Sequence, residues 1–313
     1  MREEFNTLLK ASLKSEDTEE WIDIHFTRPV GLAIALACAR LHIHPNAVTT
    51  VSIFLGMASG VMFYYRDLSH NIAGMALLIT ANFLDSADGQ LARLTNQKTI
   101  IGRMLDGLAG DIWFLFIYFA IVFRLWQQDI PFTHIHWGVW GFLLCSLAGF
   151  VCHSHQSSLA DYYRQIHLFF LKGAQGSELG NSETARAKWK SFQGKGHFWD
   201  RQFWSNYTRY CHSQESRTPQ FQRFIKALRL KYPNADDIPQ QLRDDFRKGS
   251  LPLMKYTNML TFNTRALLIY ACCIADVPFI YPIVEITIFK IVYMNMKRRH
   301  ERLCATMYDK YCR

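Results

Sequence analysis

"NFLDSADGQLARLTNQKTIIGRMLDGLAGDIWF", residues 82–114, sets four aspartates, Asp85, Asp88, Asp106 and Asp111, into a chain that is apolar on either side. An ionised group in apolar surroundings is costly unless it is paired, solvated or holding a cation. If 82–93 ends one helix and 102–125 begins the next, Asp85, Asp88 and Ala92 share a face at spacings of three and four, and Gly102 and Asp106 share a face of the other. Two acidic faces can then meet. Carboxylates gathered in a partly desolvated site repel one another unless cations sit among them, and oxygen-only ligands favour magnesium, manganese or calcium over zinc. Gly89 and Ala92 leave the helix surface bare beside Asp88, and Arg93 offers a fork of donors for a phosphate oxygen. Two metals and an arginine beside open space describe a phosphoryl-transfer site. The bland alternative, solvated aspartates capping a helix end, suits any one of them better than it suits the set.

The flanks say where this site stands. Half of the 313 residues are apolar and only 19% are charged, an unusual balance for a soluble chain. Segments 46–65, 71–84, 107–123, 136–152, 260–276 and 279–294 each hold an apolar run near the length that crosses a bilayer. A soluble bundle of buried helices is the rival reading, but "FLFIYFAIVF" and "WGVWGFLLCSLAGFVC" are apolar on every face. The expected fold is therefore an all-α, polytopic membrane protein with six transmembrane helices. Residues 27–41, apolar and closed by "LHIHPN", read as an amino-terminal amphipathic helix lying in the interface.

Charge placement gives the orientation. The turns at 66–70 and 124–135 hold one arginine each, Arg66 and Arg124, whereas the opposite set holds Arg93, Lys98, Arg103, a long polar segment and "KRRHER". Lysine and arginine stay in cytoplasmic loops, so both termini and the aspartates are expected on the cytoplasmic side of a bacterial inner membrane or its equivalent. Residues 164–255 carry 17 Lys and Arg against 8 Asp and Glu, an excess equal to the net charge of +9 of the whole chain. A basic face beside a bilayer attracts anionic head groups. Nucleic acid is not expected as a partner, since no helix-turn-helix, zinc or RNP pattern accompanies the charge. The eight cysteines form no CxxC pair and read as reduced. The charged start lacks the apolar run of a signal peptide, so the first span is expected to direct insertion.

The chain divides, on this reading, into a cytoplasmic arm and interfacial helix (1–43), four membrane helices with the acidic motif (44–163), a basic cytoplasmic insertion (164–255), and two further membrane helices with a basic tail (256–313). "TNQKTIIG" is the expected break between the two acidic helices, "GAQGSELGNSETARAK" a loop, and "TPQFQRFIKALRLKYP" and "DDIPQQLRDDFRKG" short amphipathic helices.

The pattern DxxDGxxAR, eight residues, then GxxxDxxxD resembles the signature of the CDP-alcohol phosphatidyltransferase family. Asp85, Asp88, Gly89, Ala92, Arg93, Gly102 and Asp106 match it, and "HPNAVTTVS" at 44–52 is similar to the family's PNxxT entry into its first membrane helix. The resemblance covers 28–160 well, 256–300 in general form, and 164–255 not at all. It implies that Asp85, Asp88 and Asp106 hold two divalent cations, Mg2+ or Mn2+, against the pyrophosphate of a CDP-linked donor such as CDP-diacylglycerol. It implies further that Gly89, Ala92 and Arg93 contact the nucleotide, with Asn46 and Thr49 near the cytosine, and that the protein pairs as a homodimer. The activity implied is transfer of a phosphatidyl group to an alcohol acceptor with release of CMP, a step of phospholipid biosynthesis. Inositol or inositol phosphate is the favoured acceptor. The alternatives are a divergent member making a phosphoinositol sphingolipid, and a catalytically silent binding or scaffold protein of the membrane surface.

The eighth position of the signature departs from the pattern. Gly110 stands where the family has its last Asp, credited with metal binding and with taking the acceptor's proton, and Asp111 follows. Five residues turn a regular helix through about 500°, which points Asp111 about 140° away from Asp106. A π-bulge near Gly107 or Gly110 would return Asp111 to the site as fourth ligand and base. Otherwise Asp106 serves, or His153 or His155 from "CHSHQSS", although interfacial histidines with structural partners are the simpler reading of that pair. Arg265, two turns inside the fifth span, needs a partner there: Asp111, Glu285 or a phosphate on the acceptor. Arg265, His153 and His155 are thus the candidate acceptor-binding residues.

Overall fold

The computed structural model describes the chain apart from residues 1, 2, 4, 6, 10–14, 16, 98, 99, 174–176, 178, 193, 195 and 197 and the side chains of 100, 101, 103 and 104. Lys98, and the side chain of Arg103, used above for orientation, lie outside the described residues. Among those described, every regular element is a helix, as expected. The chain forms two compact units, 1–155 with 262–290, and 156–261 with 291–313.

The first unit begins with a π-helical turn, Asp23–Thr27, that runs into α1, Arg28–Arg40. His42, at positive φ, ends it. Helix α2, Pro45–Tyr64, starts as the sequence signals: His44 accepts from the Asn46 N–H, and Pro45 occupies the first turn, where its missing donor costs nothing. Helix α3, Leu68–Leu94, is capped by Asp67 and runs unbroken through Asp85 and Asp88. Asn96, in the left-handed region, turns the chain, and α4 runs Ile100–Trp126. Asn tolerates that backbone better than most residues.

Small residues let these helices close on one another. A Cβ on Gly56 would run into the Trp113 ring of α4, and one on Gly31 of α1 would stand 2.8 Å from Ser86 Oγ of α3. Glycine is required at both places for the approach. The core runs from Phe63 and Leu78 through Trp113, Ile117 and Ile121 to Ile269 and Cys273.

The fourth expected span is α5, Gly138–Ser146, followed by a π-helical stretch, Leu147–His153, and then by α6, Ser154–Lys172. Gly149 in that stretch lies against the Tyr118 ring. The fifth and sixth expected spans fall on α12, Phe262–Ile274, and on α13, Ile280–Ile286, which breaks at Thr287 before α14, Ile288–Tyr311. Among the described residues three helices are long and apolar enough to cross a membrane: Pro45–Tyr64, Leu105–Trp126 and Gly138–Lys172.

Arg124 closes the end of this unit remote from Asp106. Its side chain is 0% exposed, yet it donates to the carbonyls of Phe63 (3.1 Å) and Cys273 (2.9 Å), to Asn71 Oδ1 (2.9 Å) and to Asp276 Oδ1 (2.8 Å). Arg66 adds a second bond to Asp276, at 2.6 Å. One guanidinium thereby joins the ends of α2, α3 and α12 to α4, with its charge paired and its donors used. Burial pushes the Asp276 carboxyl up, but the hydrogen bonds from Arg66 and Arg124 outweigh it and hold it below the usual range.

The second unit is built from α6 beyond His155, α7 (Ser182–Ser191), α8 (Phe198–Arg217), α9 (Pro219–Lys231), α10 (Gln240–Ser250), α11 (Met254–Met259) and α14 beyond Lys290. Helices α9 and α10 are the two amphipathic helices expected there. Two departures concern the polar stretch. "NSETARAK" is the start of α7 and not loop, because Asn181 caps it by accepting from the N–H groups of Glu183 and Thr184. Helix α8 also went unread, since its apolar residues follow no clean stripe. Phe170, Phe224 and Phe246 stack in the core, with Phe170 and Phe246 3.9 Å apart. His300 is buried, stacks on Tyr163 at 3.8 Å, and has its pKa pushed down to about 3, by burial first and then by His167. The eight cysteines are all unpaired in disulfide terms.

Candidate functional site

Helices α3 and α4 bring the expected carboxylates together. One oxygen from each of Asp85, Asp88 and Asp106 lies within 4.8 Å of the others. The three differ in depth: Asp88 is 3% exposed, Asp85 is half-buried and Asp106 is open. Spacing explains the first two, since residues three apart on a helix face the same way; only the return of α4 beside α3 adds the third. Asp88 Oδ2 is buried and, among the described residues, without a hydrogen-bond partner. A buried acceptor so left is expensive, and two like charges beside it make it more so. A divalent cation satisfies both demands, and the oxygen-only donor set suits Mg2+ or Mn2+.

The surroundings come from three helices and the amino-terminal segment. Thr49 of α2 is buried and stands beside Asp88. Asn46, half-buried, is one turn earlier on the same helix. A Cβ on Gly89 would meet only the Arg93 guanidinium, at 3.5 Å, so the glycine leaves that face of α3 open to the arginine. Arg93 is itself exposed and lies in the field of Arg28, Glu19, Asp106 and Asp88. Glu19 and Arg28 form a two-pronged pair, at 2.9 and 3.1 Å, and Gln90 reaches back to the Arg28 carbonyl at 3.1 Å. Sequence reasoning missed Glu19, Arg28 and Gln90. Only Gln90, a polar residue one turn after Ser86 among small ones, left a signal.

Asp111 stands outside the group. Helix α4 is α-helical from Ile100 to Trp126, so the bulge expected near Gly107 or Gly110 is not there, and Asp111 is exposed. A regular helix turns it away from Asp106, as its spacing requires. The π-helical stretches described in this unit lie instead at Asp23–Thr27 and Leu147–His153.

The remaining candidates sort themselves around Arg265. Of the partners open to it, the structure selects Glu285: Nη2 to Oε1 at 2.8 Å and Nε to Oε2 at 3.2 Å, with the side chains 1% and 0% exposed. Beside this pair the Tyr281 hydroxyl lies 3.3 Å from that of Tyr118 and 3.5 Å from His153 Nδ1. His153 is buried against the Phe114 ring, 4.3 Å between centres. His155 is half-buried, and its Nδ1 donates to the Val151 carbonyl at 2.5 Å. The two histidines thus part: one joins the buried network, the other binds backbone.

A sequence model of the CDP-alcohol phosphatidyltransferase family matches residues 42–176. Those residues take in α2, α3 and α4, and with them all three grouped aspartates. Two curated relatives, the CDP-diacylglycerol–serine O-phosphatidyltransferases of two strains of Helicobacter pylori, are 38% and 36% identical to this chain over 74 residues. That is 24% of this chain and 30% of each relative, so the chain spans less than a third of their length.

Proposed function

We propose, on the match of residues 42–176 to the CDP-alcohol phosphatidyltransferase family model, that the protein is a membrane transferase that moves the phosphatidyl group of a CDP-linked lipid to an alcohol and releases CMP. The observation that carries the reading is the meeting of Asp85, Asp88 and Asp106 from two helices, with a buried oxygen on Asp88 that has no hydrogen-bond partner among the described residues.

Asp85, Asp88 and Asp106 are the residues to hold one or two Mg2+ or Mn2+ ions. Divalent cations there supply neutralisation of the pyrophosphate and polarisation of the phosphorus. The chain supplies the rest. Arg93 donates to a phosphate oxygen of the donor, Gly89 and Ala92 let the nucleotide approach α3, and Asn46 and Thr49 face its base. The acceptor hydroxyl attacks the phosphorus of the phosphatidyl group in line; the bond to the CMP oxygen breaks, and CMP leaves with the electron pair. Asp106, the most open of the three carboxylates, takes the hydroxyl proton in place of the missing eighth-position aspartate.

Six membrane helices with the site on the cytoplasmic face, anionic head groups against the basic residues of 164–255, and a homodimer complete the reading. The acceptor belongs among small polar alcohols: inositol or inositol phosphate by the sequence reading, serine by the relatives' names. The test uses the purified full chain with CDP-diacylglycerol and Mg2+, measuring CMP by chromatography with each acceptor and with Asp85→Asn as the blank. CMP release above that blank supports the proposal. Equal release from both proteins overturns it.

A further inference from the structure

Around α3 the open side of the acidic site and the amino-terminal segment are neighbours. Asp85, Gly89 and Arg93 stand four residues apart, so they form one row along the helix. Gly89 is the bare step in that row: among the described residues, a Cβ there would meet only the Arg93 guanidinium within 4 Å. The adjoining row, Ser86 and Gln90, is the one that α1 covers, with Gly31 against Ser86 Oγ and Gln90 donating to the Arg28 carbonyl at 3.1 Å. Arg28 therefore starts its helix beside the bare step. Arg93 lies in the field of Arg28 and Glu19 as well as in that of Asp106 and Asp88.

The segment that delivers Arg28 is seated on the first unit. Thr18 is buried, and Glu20 and Asp23 both accept from Asn263 Nδ2 of α12, at 3.0 and 3.1 Å. Glu19 meets Arg28 with both of its oxygens, at 2.9 and 3.1 Å. Two guanidiniums thus border the open face of α3, with one carboxylate set against them. Like charges drawn together ask for an anion of more than one charge. The guanidinium fork that fits two carboxylate oxygens fits two phosphate oxygens equally well, so Glu19 has the shape of a stand-in. With Asp85, Asp88, Asp106 and their cations on one side of a diphosphate, the side over Gly89 falls to Arg93 and Arg28.

We propose that Arg28 is a second arginine for the diphosphate of the CDP-linked donor, held by Glu19 until the donor displaces that carboxylate. The proposal rests on the transferase reading above and adds to it a residue outside the stretch that the family model matches. Its consequence is a difference of sign. Loss of Arg28 removes a bond to the donor, whereas loss of the Glu19 charge frees Arg28 to make one. A pair that only fastened α1 would respond alike to either loss.

The experiment titrates CDP, a soluble probe that carries the diphosphate, into the full chain in neutral phosphatidylcholine nanodiscs with Mg2+. Calorimetry gives the affinity for wild type, Arg28→Gln, Arg28→Lys and Glu19→Gln, and thermal melts are recorded on the same samples. Arg28→Gln is expected to weaken CDP binding about tenfold, the scale of a charge-assisted hydrogen bond. Arg28→Lys, which keeps the charge without the fork, is expected to weaken it less. Glu19→Gln is expected to tighten it about threefold, because the binding-competent arginine no longer has to be released first. Wild-type affinity in Arg28→Gln overturns the inference, and so does weaker binding by Glu19→Gln; either leaves the transferase reading standing. No CDP binding by the wild type overturns that reading and this inference with it. If Arg28→Gln does not fold, the sign of the Glu19→Gln effect decides.

Discussion

Helix α4 carries a charged cluster toward each end, and the two are assembled in opposite ways. Near its Trp126 end one buried arginine meets carbonyls, an amide and a carboxylate, and its charge is matched. Near its Ile100 end Asp106 meets Asp85 and Asp88, three groups of one sign, with an oxygen of Asp88 buried and, among the described residues, unpartnered. The first cluster holds helices together without help. The second costs free energy unless a cation answers it, the cost expected of a site proposed to bind and release a charged substrate and not of one that only has to stay folded.

Substitutions at the two ends are expected to separate activity from stability. The largest effect is that of Asp88→Asn: CMP release falls about 1,000-fold or more, while the melting temperature in chelator rises, because a repulsive charge has gone. A variant that lost stability in chelator would show that Asp88 is a structural carboxylate. Next comes Arg124→Met, which strands two carbonyls and Asn71, leaves Asp276 to Arg66, and is expected to destabilise the first unit by about 3 kcal/mol, with CMP release per folded molecule little changed. Thermal melts in detergent alongside turnover would read both.

Cation linkage sharpens the contrast. Mg2+ or Mn2+ at about 100 times its dissociation constant is expected to stabilise the wild-type protein by about 2.7 kcal/mol and Asp88→Asn far less; equal stabilisation of both would place the cation elsewhere. Acid acts on the other end. The Asp276 pKa is depressed in the fold from 3.8, so its contribution is fully present above pH 3.8 and is lost as pH falls through the lower, folded value. Melts between pH 5 and 3 are expected to show a steeper decline for wild type than for Asp276→Asn, and parallel declines would remove the carboxylate from the latch. The smallest effect belongs to Asp111→Asn. With α4 regular, turnover is expected to stay within about threefold of wild type, and a collapse comparable to that of Asp88→Asn would return Asp111 to the site.

Much of the site was legible because helical spacing is a local property. Asp85, Asp88 and Asp106 could be assigned to two faces from spacing alone, whereas Asn46, Thr49, Gly89, Ala92 and Arg93 are candidates that only the resemblance supplied. Asp111 misled only through an added bulge; its plain five-residue spacing already pointed it outward. The Arg265 question had three answers in sequence and one in space, since side-chain pairs twenty residues apart leave no periodic trace. The polar second unit was least legible. Its amphipathic helices α9 and α10 showed themselves, whereas α7 depended on a cap at Asn181 and α8 on contacts its composition does not announce.

By itself the sequence determined the helical class, the unbroken run of α3 into the acid motif and the oxygen chemistry of the site, because hydrophobic period, capping residues and ligand type are all written within a few residues of one another. Only the tertiary structure decided which arginine is spent on the scaffold, which glutamate pairs with Arg265 and that Asp106 comes beside Asp85 and Asp88, because each of these depends on how distant helices meet.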